Sequence, residues 1–301
     1  MKKRPFLSPA DFASGFGKAL PAYPVLFVLL GGFYFGALRT GFNYTIGHFD
    51  PTLLFGLMTA AVILGILLAA VPAILTKRAV SLTDTPQDNL LSLFASVMGA
   101  VLAVILAVSS ALAFTPDTSV TAKLETFTLP FLAVSLILPF FLKKHPIRQI
   151  CASISVLTVN LTMFGCYFDP SIAINSPVRS LTVILQAAVI LLLLSEARLA
   201  FGTESFRITS PFYLFANGAA AVLGGGLSLG GLLNRFLTDN PTDPNLPALR
   251  LGLYLALALL ALSRLFALPK LCGPYIEPPK KEKEKDKDKE KDESENAQPE
   301  Q

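Results

Sequence analysis

The chain consists mainly of apolar blocks long enough to cross a bilayer, joined by short polar segments, and the blocks are apolar all round. A soluble core helix would show a single stripe. A hydrocarbon layer about 30 Å thick takes roughly 20 such residues in helical form. Inside it no water satisfies backbone groups, so each block must bond to itself. A β-barrel would need alternating segments, and none of the blocks alternates.

The blocks lie at 21–38, 52–75, 89–114, 126–142, 147–168, 178–200, 212–236 and 248–268. The fold expected is therefore an all-α integral membrane protein, a polytopic bundle of about eight transmembrane helices. Pro51, Pro146, Pro177, Pro211 and Pro247 stand at block starts, where a missing N–H costs nothing. The fourth block is short and carries Pro130 and Pro139, which makes its limits the least defined. Residues 1–20 are read as a cytoplasmic N-terminal segment, 21–270 as the transmembrane domain and 271–301 as a charged, disordered cytoplasmic tail. Met1-Lys2-Lys3-Arg4 resembles the basic start of a signal peptide, yet the first block has spanning length and no clear cleavage site follows it, so it reads as a retained helix.

Charge distribution gives the orientation. With eight spans and the N-terminus inside, the inner joints hold Lys2, Lys3, Arg4, Lys18, Lys77, Arg78, Lys143, Lys144, Arg148, Arg198 and Arg207. The outer joints hold Arg39, Lys123, Arg179, Arg235 and Arg250, together with Asp50, Asp117, Glu125, Asp169, Asp239 and Asp243. Eleven basic residues inside against five outside follow the positive-inside rule, and losing one span would shrink the bias. The reading is a cell-membrane protein with both termini cytoplasmic, its basic joints facing anionic headgroups. The alternating Lys and Glu/Asp tail from Lys280 to Glu295 cannot bury a core and would be solvated or meet a protein partner.

Fragments recur at offsets of 117 to 127 residues. Phe49-Asp50-Pro51 matches Phe168-Asp169-Pro170, and Ala60-Ala61-Val62-Ile63-Leu64 matches Ala187-Ala188-Val189-Ile190-Leu191. Two parallel four-helix repeats would give this order, with a site between the halves. Asp50-Pro51 and Asp169-Pro170 read as helix starts, an Asp cap followed by Pro, or as cation-attracting groups at the outer mouth.

Candidate functional residues are polar groups inside the blocks. Glu196 and Arg264 lie among apolar neighbours on two spans of the same direction, at depths that agree within roughly 3 Å. Burial of an unpaired charge is costly, so Glu196 is expected to contact Arg264, with Arg198 or Arg207 as competitors. Asn160, Gln186 and Asn217 would join helices by amide hydrogen bonds or line a polar pathway. Gly218, Gly224-Gly225-Gly226 and Gly230-Gly231 in the seventh block would permit close packing or a bend.

Enzyme readings fare poorly. Gly226-Leu227-Ser228-Leu229 has the G-x-S-x form of an intramembrane serine protease, but His48 and His145 both fall in joints, too far to act as base. No H-E-x-x-H and no intramembrane aspartate pair is present. Asp84 and Asp88 share one joint, and Asp88-Asn89 also suits a helix cap. Cys151, Cys166 and Cys272 read as small hydrophobes, and no cofactor or metal is expected. A net charge of +4, scattered as anchors, gives no nucleic-acid interface.

Two functions remain. One is a small-molecule or ion transporter with substrate-binding Asn160, Gln186, Glu196, Asn217 and Arg264. The other is a non-catalytic membrane subunit or sensor acting through protein partners. A polar cavity at mid-membrane would favour the first, and a solid bundle with a broad apolar groove the second.

Overall fold

The computed structural model describes residues 15–75, 80–82, 90–142, 145–168, 176–201, 210–238 and 246–274. Among the described residues eight helices are long and apolar enough to cross a membrane: α1 (Gly15–Gly41), α2 (Leu53–Leu75), α3 (Leu90–Leu112), α4 (Val120–Phe140), α5 (Pro146–Tyr167), α6 (Pro177–Ala200), α7 (Pro211–Leu237) and α8 (Ala248–Pro269). The molecule is an all-α multi-pass membrane protein. Asp84, Asp88, Asp169 and residues 275–301 of the tail lie outside the described residues, whereas the start of the expected disordered tail, Cys272–Pro274, is ordered as a short strand.

Hydropathy sorts the helices by environment. α2 and α3 have the highest mean hydropathy, 2.6, yet only 28% and 44% of their apolar windows are buried. α7 has a mean hydropathy of 1.4 and is 83% buried. This inversion follows from lipid being the solvent. Leu, Ile and Val cover the outside, while the central helix is chosen for small size. α7 packs against α1, α2, α6 and α8. From α8 a chain of neighbours runs through α3, α4 and α5 to α6, so these five helices and α7 close a ring, with α1 and α2 applied to its α7 side.

The glycines of α7 make this possible. A Cβ at Gly230 would lie 2.7 Å from the carbonyl oxygen of Gly31, and one at Gly226 would meet Leu30 at 2.8 Å. A π-helical turn, Ala220–Gly224, interrupts α7 at its centre. Its wider turn re-aims the helix: the half before it packs on α2 and the half after it on α1.

The fourth span departs from the expected range. α4 begins at Val120, where Ser119 accepts a hydrogen bond from the Ala122 N–H at 3.3 Å. Glu125 therefore lies within the helix and is buried, not in a joint. The expected cap at Asp50-Pro51 is also displaced. α2 starts at Leu53, and the Thr52 hydroxyl accepts from the Phe55 N–H at 3.2 Å, because Thr52 directly precedes the helix, two positions nearer the first turn than Asp50. The joint between α1 and α2 is a small hairpin pairing Phe42 with Phe49 and Asn43 with His48. On the opposite side Val80–Leu82 pairs with Cys272–Pro274 beyond α8.

Helix neighbours do not follow the twofold exchange that two parallel four-helix repeats would impose. α1 runs along α7, whereas the corresponding pair, α5 and α3, has no packing of that extent. Short matches among Leu, Ala, Val and Ile arise from composition shared by all lipid-facing helices.

Candidate functional site: a buried charge cluster

The expected pair forms. Arg264 Nε donates to Glu196 Oε1 at 3.2 Å and Nη2 donates to Oε2 at 3.4 Å, a two-pronged contact between α8 and α6. The Arg264 side chain is 2% exposed and that of Glu196 15%. Its geometry matches planar fork to planar carboxylate. Arg198, a competing partner, instead lies over the Phe212 ring at 4.2 Å. Arg207 is outside the described residues.

A third charge belongs to the site. Arg148, assigned from sequence to an inner joint, is 2% exposed in the first turn of α5 and close to both Glu196 and Arg264. His145 caps that turn by accepting from the Ile147 N–H at 3.2 Å, which fixes where the guanidinium enters the bundle. α3, α4, α5, α6 and α8 converge on a cavity of about 20 Å³ lined by Ser96, Ser135, Arg148, Ser155, Glu196 and Arg264. Such a space holds about one water-sized particle. Ser135 donates to Leu132 O at 2.8 Å and Ser155 to Ala152 O at 2.7 Å, so both hydroxyl protons are committed to their own helices. Arg264 Nη1 has no acceptor among the described residues. Leaving a buried charged donor unpaired costs at least about 1–3 kcal/mol. Tyr213, at the start of α7, is fully buried near Glu196 and Arg264.

A second buried ion pair lies at the other end of α8. Arg250 Nη2 donates to Glu125 Oε1 at 2.7 Å, with side chains 18% and 10% exposed. Both residues were assigned from sequence to outer joints. Fourteen positions separate Arg250 from Arg264, about 21 Å along a helix. α8 is thus tied by charge to α4 near one end and to α6 near the other. Arg179, also expected in an outer joint, is buried and donates to Tyr167 O at 2.8 Å, closing the end of α5.

The three amides do not join this cluster. Asn160 Nδ2 donates to Val156 O and Asn217 Nδ2 to Tyr213 O, both at 2.8 Å and both within their own helices. Only Gln186 reaches a neighbour, its Nε2 lying 3.5 Å from Cys166 Sγ on α5. The expectation of amide bonds across the bundle is not met by Asn160 and Asn217, whose Nδ2 groups turn to the carbonyl four residues back. Cys151 is buried and Cys166 half-buried, and neither is in a disulfide.

A large groove of about 730 Å³ runs between α1 and α2 and is lined by apolar side chains including Phe16, Leu26, Leu64 and Val71. The described residues contain no group of three or more His, Cys, Asp or Glu that could hold a metal. Compared with known protein families, curated proteins and solved structures, the chain matches none.

Proposed function

We propose that this multi-pass membrane protein is a small-solute transporter of the cell membrane, with Arg148, Glu196 and Arg264 as its working site. The observation that carries the reading is the cluster itself: charges of both signs, buried where five helices of the ring meet, with one guanidinium nitrogen left without an acceptor among the described residues. Intramembrane ionisable groups are expensive, and a bundle needing only adhesion is served by small residues and packing.

On this reading the described conformation is closed at both ends. Glu196–Arg264 fastens α6 to α8 at the cytoplasmic end, and Glu125–Arg250 fastens α4 to α8 at the outer end. Each opening would separate one pair while keeping the other, and Gln186 and Asn217 would line the path between. The excess of basic inner joints supports cytoplasmic termini and contact with anionic headgroups.

The test uses a cysteine-free background carrying single cysteines at positions 160, 186 and 217, labelled from each side with a membrane-impermeant thiol reagent. The expected result is slow labelling of 186 and 217 that quickens in the Glu196→Gln background. Absence of labelling at all three positions in both backgrounds would overturn the transporter reading.

One observation favours a second reading, a non-catalytic subunit. The interior cavity is small and the α1–α2 groove is wide, apolar and open on the lipid side, as a seat for a partner's membrane helix would be. Copurification of a stoichiometric membrane partner, lost when Leu64 and Leu67 are changed to Trp, would support it.

A further inference from the structure

We infer that the cavity beside Arg264 is a binding site for a small monoatomic anion, of which chloride is the simplest probe. The inference rests on the site of the proposed function and specifies the class of solute it accepts.

Three observations converge on it. Arg264 offers a fork of five N–H donors. Its Nε and Nη2 serve Glu196, while Nη1, on a residue 2% exposed, meets no acceptor among the described residues. The space that Arg264 lines is about 20 Å³, which favours one small particle over a polyatomic carboxylate or phosphate. Finally, the cavity wall carries two guanidinium groups, Arg148 and Arg264, against the one carboxylate of Glu196, so its field favours a negative occupant over a neutral one. The protons of Ser135 and Ser155 point to their own backbone carbonyls, which leaves the guanidinium donors and the Ser96 hydroxyl to recognise an occupant. A halide needs only that, because it accepts from any direction and presents no oxygen geometry to match.

The pairing with Glu196 gives the site a sign that experiment can read. The carboxylate holds Arg264 in place and also repels an anion. Neutralising it as Glu196→Gln should therefore tighten halide binding, whereas a purely structural anchor would only lose stability. Arg264→Lys keeps one positive charge but removes the planar fork, and halide affinity should fall about tenfold, the worth of one charge-assisted hydrogen bond.

The experiment is equilibrium dialysis of the full-length protein in detergent against radiolabelled chloride, with sodium gluconate holding ionic strength constant. Thermal unfolding in chloride, bromide and gluconate runs in parallel. Saturable binding near one chloride per chain, stabilisation by chloride and bromide but not gluconate, weakening in Arg264→Lys and strengthening in Glu196→Gln would support the site. Absence of saturable chloride binding by the unaltered protein would overturn it and leave a water molecule as the occupant. Equal binding by the unaltered protein and Arg264→Lys would overturn it as well, whatever the folding of the variant. Chloride binding without solute flux in proteoliposomes would retain the site and remove the transporter reading. Flux without chloride binding would do the reverse.

Discussion

At the scale of single residues, the molecule repeatedly resolves a charge that lipid cannot solvate. Glu196 and Arg264 were legible as partners because their depths, counted from Pro177 and Pro247, agreed and the apolar context left each without another solvent. Arg148 and Glu125 were not legible. Each stands near a span end, where sequence alone cannot tell a headgroup anchor from a side chain turned inward. The distinction depends on helix rotation, set by packing that the local sequence does not contain. Removing one partner of a buried pair strands the other, so Glu196→Gln and Arg264→Gln should each destabilise the bundle by about 3 kcal/mol. The double variant should lose less than the sum, with a coupling of about 1–3 kcal/mol. Reversible unfolding in mixed micelles gives these values, and the charge-swapped pair should recover part of the loss. Additive losses would mean that the two side chains reach headgroups separately.

At the scale of elements, α7 sets how closely the bundle can close. Its glycines looked from sequence like either a packing face or a hinge, and the structure assigns the second half to packing. Gly230 faces the backbone of Gly31, which cannot yield as a side-chain tip can. Gly230→Ala should therefore cost about 1–3 kcal/mol through overpacking. Gly32, one position along α1 from Gly31, has open space where a Cβ would go, so Gly32→Ala should be neutral or slightly stabilising. Comparing the two midpoints of unfolding separates close approach from helix propensity. Equal losses in both would contradict the packing derived for α1 and α7. The π-turn had no signature to read, since Ala220-Ala221-Val222-Leu223-Gly224 is ordinary helix-compatible sequence. It exists because α7 must face α2 with one half and α1 with the other.

For the whole molecule, length and all-round apolarity revealed eight spans, because a bilayer accepts few other forms for such blocks. Their neighbours were not revealed, since every outward face carries the same Leu, Ile and Val. Eight crossings put both ends on one side, and the basic inner joints predict the cytoplasm. A fluorescent reporter fused to either end should glow, and a phosphatase that works only outside should stay silent at both. Active phosphatase at one end would refute the eight-span topology. The contact between α1 and α7 has a consequence for biosynthesis. The first hairpin leaves the ribosome long before its main partner exists, so α1 and α2 must wait in lipid as a separate raft. The apolarity of α2, with a mean hydropathy of 2.6, suits that wait. The last hairpin, delivering α7 and α8, must then draw the early raft and the middle helices together. Completion of the fold thus depends on the final quarter of the membrane domain, and a nascent chain stalled before α7 would be inserted but unassembled.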